Sequence, residues 1–347
     1  MVNTYKPEGR LLCTAENKEY TSGESALARA MAEGKILESI ALYCENGENG
    51  KELHFRLGKM RGIMPASEVE YTKTGEAAKD IAVITRVGKA VCFKIIGFCE
   101  IDGEKTAVLS RKEAQRECSE NFLLSLSAGD IIDATVTHLE PFGAFLDIGC
   151  GIVSLMSIDC ISVSRISHPR DRFYTGMQIK AAVKSIDYET GRIYMTHKEL
   201  LGTWQENADA FCIGQTVSGV VRSIEPYGIF VELAPNLAGL AEYREDIAAG
   251  QTAAVYIKNI IPEKMKVKLV IVDTFPAPEA QEKRFDYKNI TNSGGFRFGF
   301  CRSYNVAERD FLQSRGGCAG YEQGGVGYVG AVQRRSDSDR YSYDKRC

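Results

Sequence analysis

Short segments of alternating apolar and polar residues, each ended by glycine or a turn residue, recur along most of the chain. The clearest lies at residues 141–149, PFGAFLDIG, and an altered copy, PYGIFVEL, lies at residues 226–233. In an extended strand, successive side chains point to opposite faces. The alternation therefore predicts that Leu146 faces a hydrophobic core, whereas Phe145 and Asp147 face outward.

The second copy places an aromatic residue at the same outward position. Its start is offset by 85 residues from the first, and the alternation predicts Val231 in the core with Phe230 and Glu232 outside. A large aromatic on the solvent face of a strand, twice at one register, indicates a stacking platform; a covering loop or neighbouring domain is the alternative. For Phe142 and Tyr227 the adjacent glycine permits a bulge, so the alternation does not fix their direction.

The strand-like segments fall into three groups, each the length of one small domain. Five segments lie between 131 and 196, and five more follow in matching order between 217 and 272. Short strands at this spacing predict an all-β fold of tandem five-stranded OB-fold barrels joined by short helices. The boundaries predicted are an N-terminal arm with a short helix at 1–33, a degenerate repeat at 34–112, a linker helix at 113–126, a second repeat at 127–199, a linker helix at 200–211, a third repeat at 212–275 and a Gly/Arg/Tyr-rich tail at 276–347.

Two segments depart from the strand pattern. Apolar residues at helical spacing from Ala26 to Met31 predict a helix that begins at an N-cap Ser22 and ends at Gly34. The last 72 residues combine glycine pairs with arginine, serine and tyrosine and have no apolar periodicity. Such a composition buries too little apolar surface to offset chain entropy, so the tail is predicted to be disordered.

The charge balance limits the kind of partner that the chain can bind. The net charge is −3, and because residues 276–347 carry 12 Lys+Arg against 9 Asp+Glu, residues 1–275 carry −6. Indiscriminate attraction to polyanions over the whole surface is therefore excluded, and a nucleic-acid site must be a local basic patch.

The sequence lacks the motifs of metal binding, cofactor binding and catalysis. Its 11 cysteines include no Cys-x-x-Cys pair and its four histidines lie far apart, so no zinc site is predicted. No P-loop or Ser/His/Asp set occurs, and no segment outside the repeats is long enough for a ribonuclease or nucleotidyl-transfer domain. We therefore expect a binding protein, not an enzyme, with no cofactor and no small-molecule substrate. Without a signal peptide or a long apolar run, a cytoplasmic location with reduced thiols and no membrane contact is expected.

A family resemblance rests mainly on residues of the second repeat. They are Gly129-Asp130, Pro141-Phe142-Gly143-Ala144-Phe145, Gly151, Gly176, Val183, Asp187 and Gly191-Arg192-Ile193. This segment resembles the S1 domain, the five-stranded oligonucleotide-binding barrel repeated in bacterial small-subunit ribosomal protein S1. The resemblance is strong over 127–199, good over 212–273 and weak over 34–112, and the whole arrangement is similar to the short S1 homologues of Clostridia-type bacteria.

The resemblance implies which side chains contact nucleic acid. In the family, the binding face carries two strand aromatics, a histidine in the next strand, an aspartate before the last hairpin and a basic residue after it. The corresponding residues of the second repeat are Phe142, Phe145, Ser157 in place of the histidine, Asp187 and Arg192. Those of the third repeat are Tyr227, Phe230, Glu242 in place of the histidine, Ile261 in place of the aspartate, and Lys266.

The chemistry of these residues supports the same face. Unpaired bases stack on aromatic rings with about 1–3 kcal/mol each and little sequence preference. Arg192, Lys180 and Lys184 are expected to meet phosphates, which makes the affinity fall with salt. The alternative for Arg192 is a surface salt bridge to Asp187 or Glu189 across the hairpin.

The first repeat lacks the aromatic pair, because His54 stands where Phe145 stands in the second repeat. It resembles family repeats that dock on protein partners, so residues 34–112 are the expected contact with the small ribosomal subunit. The function implied is binding of single-stranded RNA, chiefly messenger RNA, on that subunit in translation initiation. The alternative is an S1-domain regulator, associated with transcription or stress, that acts off the ribosome.

Overall fold

In the computed structural model, β-strands make up most of the regular structure. The residues that the structure describes are 5–47, 50–72, 79–164, 166–187, 190–276, 285 and 287. Their fifteen strands form three closed barrels of five strands each, which confirms the predicted fold class. The predicted disorder of the 276–347 tail concerns residues that lie, apart from Pro276, Phe285 and Tyr287, outside the described part of the chain.

The three barrels follow each other along the chain. Barrel 1 consists of β1 (Leu37–Gly47), β2 (Gly50–Leu57), β3 (Met60–Pro65), β4 (Ala90–Ile101) and β5 (Glu104–Ser110). Barrel 2 consists of β6 (Ile131–Glu140), β7 (Gly143–Asp147), β8 (Val153–Ser157), β9 (Gln178–Asp187) and β10 (Arg192–Thr196). Barrel 3 consists of β11 (Thr216–Glu225), β12 (Gly228–Ala234), β13 (Leu237–Ala241), β14 (Thr252–Ile261) and β15 (Lys266–Phe275).

All three barrels have one topology. The first three strands form an antiparallel meander, the fourth pairs with the first, and the fifth closes the barrel between the third and the fourth. The contact between the third and fifth strands is parallel in each barrel, whereas the other pairs are antiparallel. Closure leaves no free sheet edge, and it brings strands that are distant in sequence side by side.

Strand alternation places the core as the sequence predicts. Leu146 of barrel 2 and Val231 of barrel 3 are completely buried, and Phe145 and Phe230 beside them are half-buried on the outer wall. Each barrel interior is filled mainly by aliphatic side chains that alternate along its strands. The burial of these apolar surfaces is the main stabilising contribution to each barrel.

Two carboxylates that were predicted to face solvent are buried instead. Asp147 is 3% exposed and Glu232 is 7% exposed. Both lie on the outer wall, as alternation requires, but a neighbouring part of the protein covers each of them. The Asp147 carboxylate accepts hydrogen bonds from the Glu8, Gly149 and Gly151 N–H groups, and Glu232 is bound by arginine. Alternation gives the face of a strand, but it cannot tell what lies against that face.

Five α-helices lie among the described residues. They are α1 (Ala15–Tyr20), α2 (Glu24–Ala32), α3 (Asp80–Ile84), α4 (Arg111–Asn121) and α5 (Trp204–Ala208). The predicted arm helix corresponds to α2, but Ser22 is not its N-cap: Gly23 occupies that position without a side-chain hydrogen bond. The Ser22 hydroxyl instead donates to the Glu19 carbonyl at 2.7 Å, where the unpredicted α1 ends. None of the described helices is long and apolar enough to cross a bilayer.

Arg111 is fully buried where the N-terminal arm, barrel 1 and barrel 2 meet. Its Nε donates to Glu8 Oε1 at 2.7 Å, and its Nη1 and Nη2 donate to the carbonyls of Val69 and Gly151 at 3.1 and 3.0 Å. Burial opposes ionisation of Glu8, but the charge of Arg111 outweighs it and lowers the pKa of Glu8. Burial, together with the charge of Glu8, raises the pKa of Asp147 to about 7.

Two aromatic residues that follow barrel 3 in sequence contact barrel 2. The Phe285 ring lies 4.5 Å from the ring of His197 and 5.8 Å from that of Phe173, measured between centroids. The Tyr287 hydroxyl accepts a hydrogen bond from the Lys180 N–H at 3.0 Å. Burial lowers the pKa of His197 to about 4, so its imidazole is neutral at physiological pH.

Candidate nucleic-acid interface

Phe142 and Phe145 form an aromatic pair on the outer wall of barrel 2, hereafter the barrel 2 platform. Their rings meet edge to face, with centroids 6.0 Å apart and planes at 88°. Phe142 is 56% exposed and Phe145 is half-buried beneath it. A side chain at Gly143 would lie 2.4 Å from the Met156 carbonyl, so only glycine lets β7 approach β8 this closely beside Phe142.

Tyr227 and Phe230 repeat this arrangement in barrel 3 and form the barrel 3 platform. Their ring centroids are 6.1 Å apart and their planes meet at 86°. Tyr227 is 59% exposed, and Phe230 is half-buried like its counterpart. Gly228 again allows a close approach, since a Cβ there would lie 2.4 Å from the Ala241 carbonyl. Two barrels therefore present one exposed and one supporting ring in the same geometry.

The barrel 2 platform belongs to a row of side chains that crosses the outer wall. Phe145 pairs with His138 on β6 and with Leu155 on β8, and Leu155 pairs in turn with Tyr194 on β10. The His138 ring lies 6.3 Å from that of Phe145, and none of the row is buried. Sequence reasoning missed His138 and Tyr194. Tyr194 lies between the buried Ile193 and Met195, so alternation could have marked it as outward.

The same row in barrel 3 has a cation where barrel 2 has an aromatic residue. Phe230 pairs with Leu240 on β13, and Leu240 pairs with Lys268 on β15. Lys268, which the sequence analysis did not single out, therefore occupies the position of Tyr194 and is exposed. Barrel 3 thus offers fewer stacking surfaces than barrel 2 and more positive charge.

A bulge on the fourth strand places a lysine beside the row in both barrels. The strand register shifts around Lys184 on β9 and around Lys258 on β14, and both side chains are exposed. A bulge leaves one residue outside the ladder and re-aims its side chain. The Lys184 ammonium lies 3.0 Å from Cys160 Sγ, and this contact raises the pKa of Lys184. Like His138, Tyr194 and Lys268, Lys258 was not predicted from the sequence.

The other predicted residues of barrel 2 lie at the ends of its strands, and of these Ser157 is the one beside Phe142. Ser157 pairs with Gly143, and Arg192 pairs with Asp187 at the end of the β9–β10 ladder. The Asp187 carboxylate accepts hydrogen bonds from the N–H and hydroxyl of Thr190, so the hairpin turn fixes its position. Arg192 is exposed beside it, and Glu189, its other suggested partner, lies outside the described residues.

Lys180 does not join this group. Its ammonium lies 2.9 Å from Asp133, its partner in the β6–β9 ladder, where the two strands pair beyond the row. The charge of Lys180 is therefore largely compensated by a neighbour. The expectation that Lys180 meets phosphate together with Lys184 stays a prediction, and this ion pair is what a phosphate would compete with.

The positions of barrel 3 that match these residues of barrel 2 have the same strand pairing but carry different side chains. Lys266 pairs with Ile261, as Arg192 pairs with Asp187, and Glu242 follows Leu240 by two residues, as Ser157 follows Leu155. Glu242 is exposed and adds a negative charge to this wall. Lys258, Lys266 and Lys268 outnumber it on the same wall.

Barrel 1 has none of these features at the matching positions. His54 occupies the register of Phe145, as predicted, but it is only 5% exposed. Its ring is stacked on that of Tyr43 at 4.5 Å, and its Nε2 lies 2.9 Å from Glu45 Oε1. The bulge that holds lysine in the other barrels holds Ile96 here. This wall therefore lacks both the exposed aromatic pair and the bulge cation.

No group of three or more His, Cys, Asp or Glu side chains among the described residues is arranged to hold a metal ion. The platforms and lysines described above instead match the needs of a strand of unpaired nucleotides. Aromatic rings offer faces for stacking, and lysine and arginine beside them offer charge for phosphates.

Solved structures with partial similarity to this chain include the following two. A multidomain protein with nucleic acid binding domains from Streptococcus pneumoniae is 14% identical, with a TM-score of 0.23, and the match covers 69% of this chain and 74% of that chain. The intact alpha subunit of aIF2 from Pyrococcus abyssi is 27% identical, with a TM-score of 0.20, and the match covers 22% of this chain and 30% of that chain.

At the level of sequence, the chain is similar to one domain family and to several ribosomal proteins. Residues 125–198, which contain barrel 2, match the S1 RNA binding domain. The small ribosomal subunit protein bS1 of Staphylococcus aureus (strain COL) is 32% identical over 239 residues, 64% of this chain and 59% of that protein. The bS1 homolog of Bacillus subtilis (strain 168) is 28% identical over 261 residues, 69% of this chain and 65% of that protein. The chain spans less than two thirds of the length of these relatives, and its match to the S1 RNA binding domain covers residues 125–198.

Proposed function

We propose that the protein binds single-stranded RNA through the outer walls of barrels 2 and 3, with messenger RNA as its ligand in the cell. The observation that carries the proposal is the repeated edge-to-face pair, Phe142 with Phe145 and Tyr227 with Phe230. Each pair presents one exposed ring that a base can stack on, and a duplex would withhold its bases from both.

The cations beside the platforms supply the electrostatic part of binding. Lys184 and Arg192 flank the barrel 2 platform, and Lys258, Lys266 and Lys268 lie on the corresponding wall of barrel 3. Each phosphate that they neutralise releases a counterion, so affinity falls as salt rises. These contacts involve the RNA backbone and the faces of the bases, so we expect little sequence preference.

We infer that the protein acts on the small ribosomal subunit, where it holds messenger RNA during translation initiation. The relatives from S. aureus and B. subtilis are named as proteins of that subunit. The wall of barrel 1 supports a role other than RNA capture for this barrel. It carries a buried His54 and the apolar Ile96 in place of a platform and a lysine. We assign contact with the subunit to residues 34–112, RNA capture to the two barrels that follow, and a cytoplasmic, non-enzymatic role to the whole chain.

Co-sedimentation with purified small subunits at low and high salt tests this assignment. We expect the full chain to pellet with the subunits, and a Phe145→Ala, Phe230→Ala variant to pellet as well, because barrel 1 makes the contact. A protein that stays in the supernatant at both salt concentrations, yet binds free RNA, would be a regulator acting off the ribosome. That outcome would contradict the ribosomal assignment and leave the RNA-binding proposal standing.

A further inference from the structure

Barrels 2 and 3 are joined by a buried asparagine at the turn between β12 and β13. Asn236 Nδ2 donates to the carbonyls of Lys198 and Gly202 at 2.7 and 2.8 Å, and its Oδ1 accepts from the Val163 N–H at 3.2 Å. Asn236 is 1% exposed. Its hydrogen bonds therefore tie barrel 3 to the linker and to the β8–β9 loop of barrel 2 at three points.

A buried ion network lies beside this asparagine. Glu232 Oε2 accepts from Arg172 Nη2 at 2.5 Å and from Arg222 Nε at 2.7 Å. Arg172 comes from the β8–β9 loop of barrel 2, and its Nη2 also donates to Ser162 Oγ at 3.1 Å. Hydrogen bonds between buried ionised groups are strong and directional, so this network opposes rotation of one barrel against the other.

Barrels 1 and 2 meet in the same manner. The β7–β8 turn of barrel 2 contacts the helix that follows barrel 1, with Gln115 Nε2 donating to the Cys150 carbonyl at 3.2 Å and Arg111 Nη2 to the Gly151 carbonyl at 3.0 Å. Asp147, which follows Phe145 by two residues as Glu232 follows Phe230, is buried at this contact. The hairpin after the platform strand thus docks on the preceding linker at both junctions, so the docking is a repeated feature of the chain.

The junction between barrels 2 and 3 lies beside the barrel 3 platform and begins a few residues after the strand that pairs with the barrel 2 platform. Phe230 and Glu232 lie on the same wall of β12, about 7 Å apart at the usual rise of a strand. On the barrel 2 side, Ser162 accepts from Arg172 only five residues after Ser157, which ends the strand beside Phe142. We therefore expect that a strand of nucleotides that leaves one platform reaches the other across this junction.

We propose that barrels 2 and 3 form one composite RNA-binding surface, whose ligand is a single strand long enough to cross the junction fixed by Arg172, Glu232 and Asn236. This inference rests on the proposed function. Two sites on a loose tether gain only the effective concentration that the tether allows, on the order of millimolar. Sites held in a fixed relation avoid the entropy of ordering that tether, so the second contact adds more to the affinity.

Binding of RNAs of two lengths tests the composite surface. A six-nucleotide strand occupies one barrel and a twenty-nucleotide strand spans both, given about 4–16 nucleotides per OB fold. In the full chain we expect the long strand to bind at least 100-fold more tightly than the short one. Asn236→Ala should reduce affinity for the long strand about tenfold and leave the short strand unaffected, because it loosens the junction and touches neither platform. Asn46→Ala, at an exposed asparagine of barrel 1, serves as the matched control and should change neither value.

Glu232→Gln provides a second variant, which removes a charge from the junction without opening a cavity. Unchanged affinity for the long strand in both junction variants would overturn the composite surface, and so would an equal loss for both strands. Failure of the full chain to bind either strand would instead overturn the proposed function, on which the inference rests.

Discussion

Replacing Phe145 and Phe230 together by alanine is expected to weaken binding of single-stranded RNA at least tenfold while all three barrels stay folded. Each ring supports the exposed ring above it, at centroid distances of 6.0 and 6.1 Å. Stacking contributes about 1–3 kcal/mol per base, so the loss of one base contact in each barrel predicts a decrease of tenfold or more. Both residues lie on the outer wall and not in the core clusters, so the barrels lose little of their stability.

Fluorescence anisotropy with a labelled, unstructured RNA measures this change, and circular dichroism checks the fold. The control is a variant of two other exposed tyrosines, Tyr43→Ala with Tyr174→Ala, which lie in barrel 1 and in the β8–β9 loop. It should bind RNA as the original chain does. An equal loss in both variants would mean that the platforms have no special part in binding.

Removal of the buried guanidinium in Arg111→Ala is expected to lower the free energy of unfolding by about 3–5 kcal/mol. Arg111 is completely buried, and the change leaves Glu8 without its main partner in a site that excludes water. The Val69 and Gly151 carbonyls lose their donors at the same time. The arm, barrel 1 and barrel 2 all contribute to this contact, so we expect the unfolding transitions of both barrels to shift.

Arg116 on the same helix gives a matched control. It also forms ion pairs, 2.7 Å from Glu113 and 3.0 Å from Glu120, but its side chain is 43% exposed. Surface pairs of this kind contribute about 0–1 kcal/mol, so Arg116→Ala should have little effect. Urea unfolding measures both variants, and a similar small effect for the two would show that the buried contact does not hold the barrels together.

The local features of this fold can be predicted from the sequence because they depend on neighbouring residues. Strand alternation correctly assigns Leu146 to the core and Phe145 to the outer wall, and the motif offsets correctly give three five-stranded barrels. The burial of Asp147 and Glu232 could not be predicted in this way. It depends on an arm and a loop that fold back from distant parts of the chain.

Several residues of the candidate interface could also not be predicted from the sequence, because their positions depend on strands that are distant in the chain. Tyr194 and Lys268 join the platform rows through parallel strand pairs that barrel closure creates. Lys258 gains its position from a bulge, which depends on the register between two strands and not on the residue itself. The sequence points to the aromatic pairs, whereas the cations and further rings around them become apparent only when the barrel is closed.

Photo-crosslinking of the full chain to single-stranded RNA that carries 4-thiouridine, followed by mass spectrometry, determines whether RNA lies on the two aromatic platforms. We expect crosslinks in β7 and β12 and in the residues just before them, at Phe142, Phe145, Tyr227 and Phe230. Crosslinks confined to barrel 1 or to residues 276–347, with these four aromatic residues unmodified, would contradict this expectation.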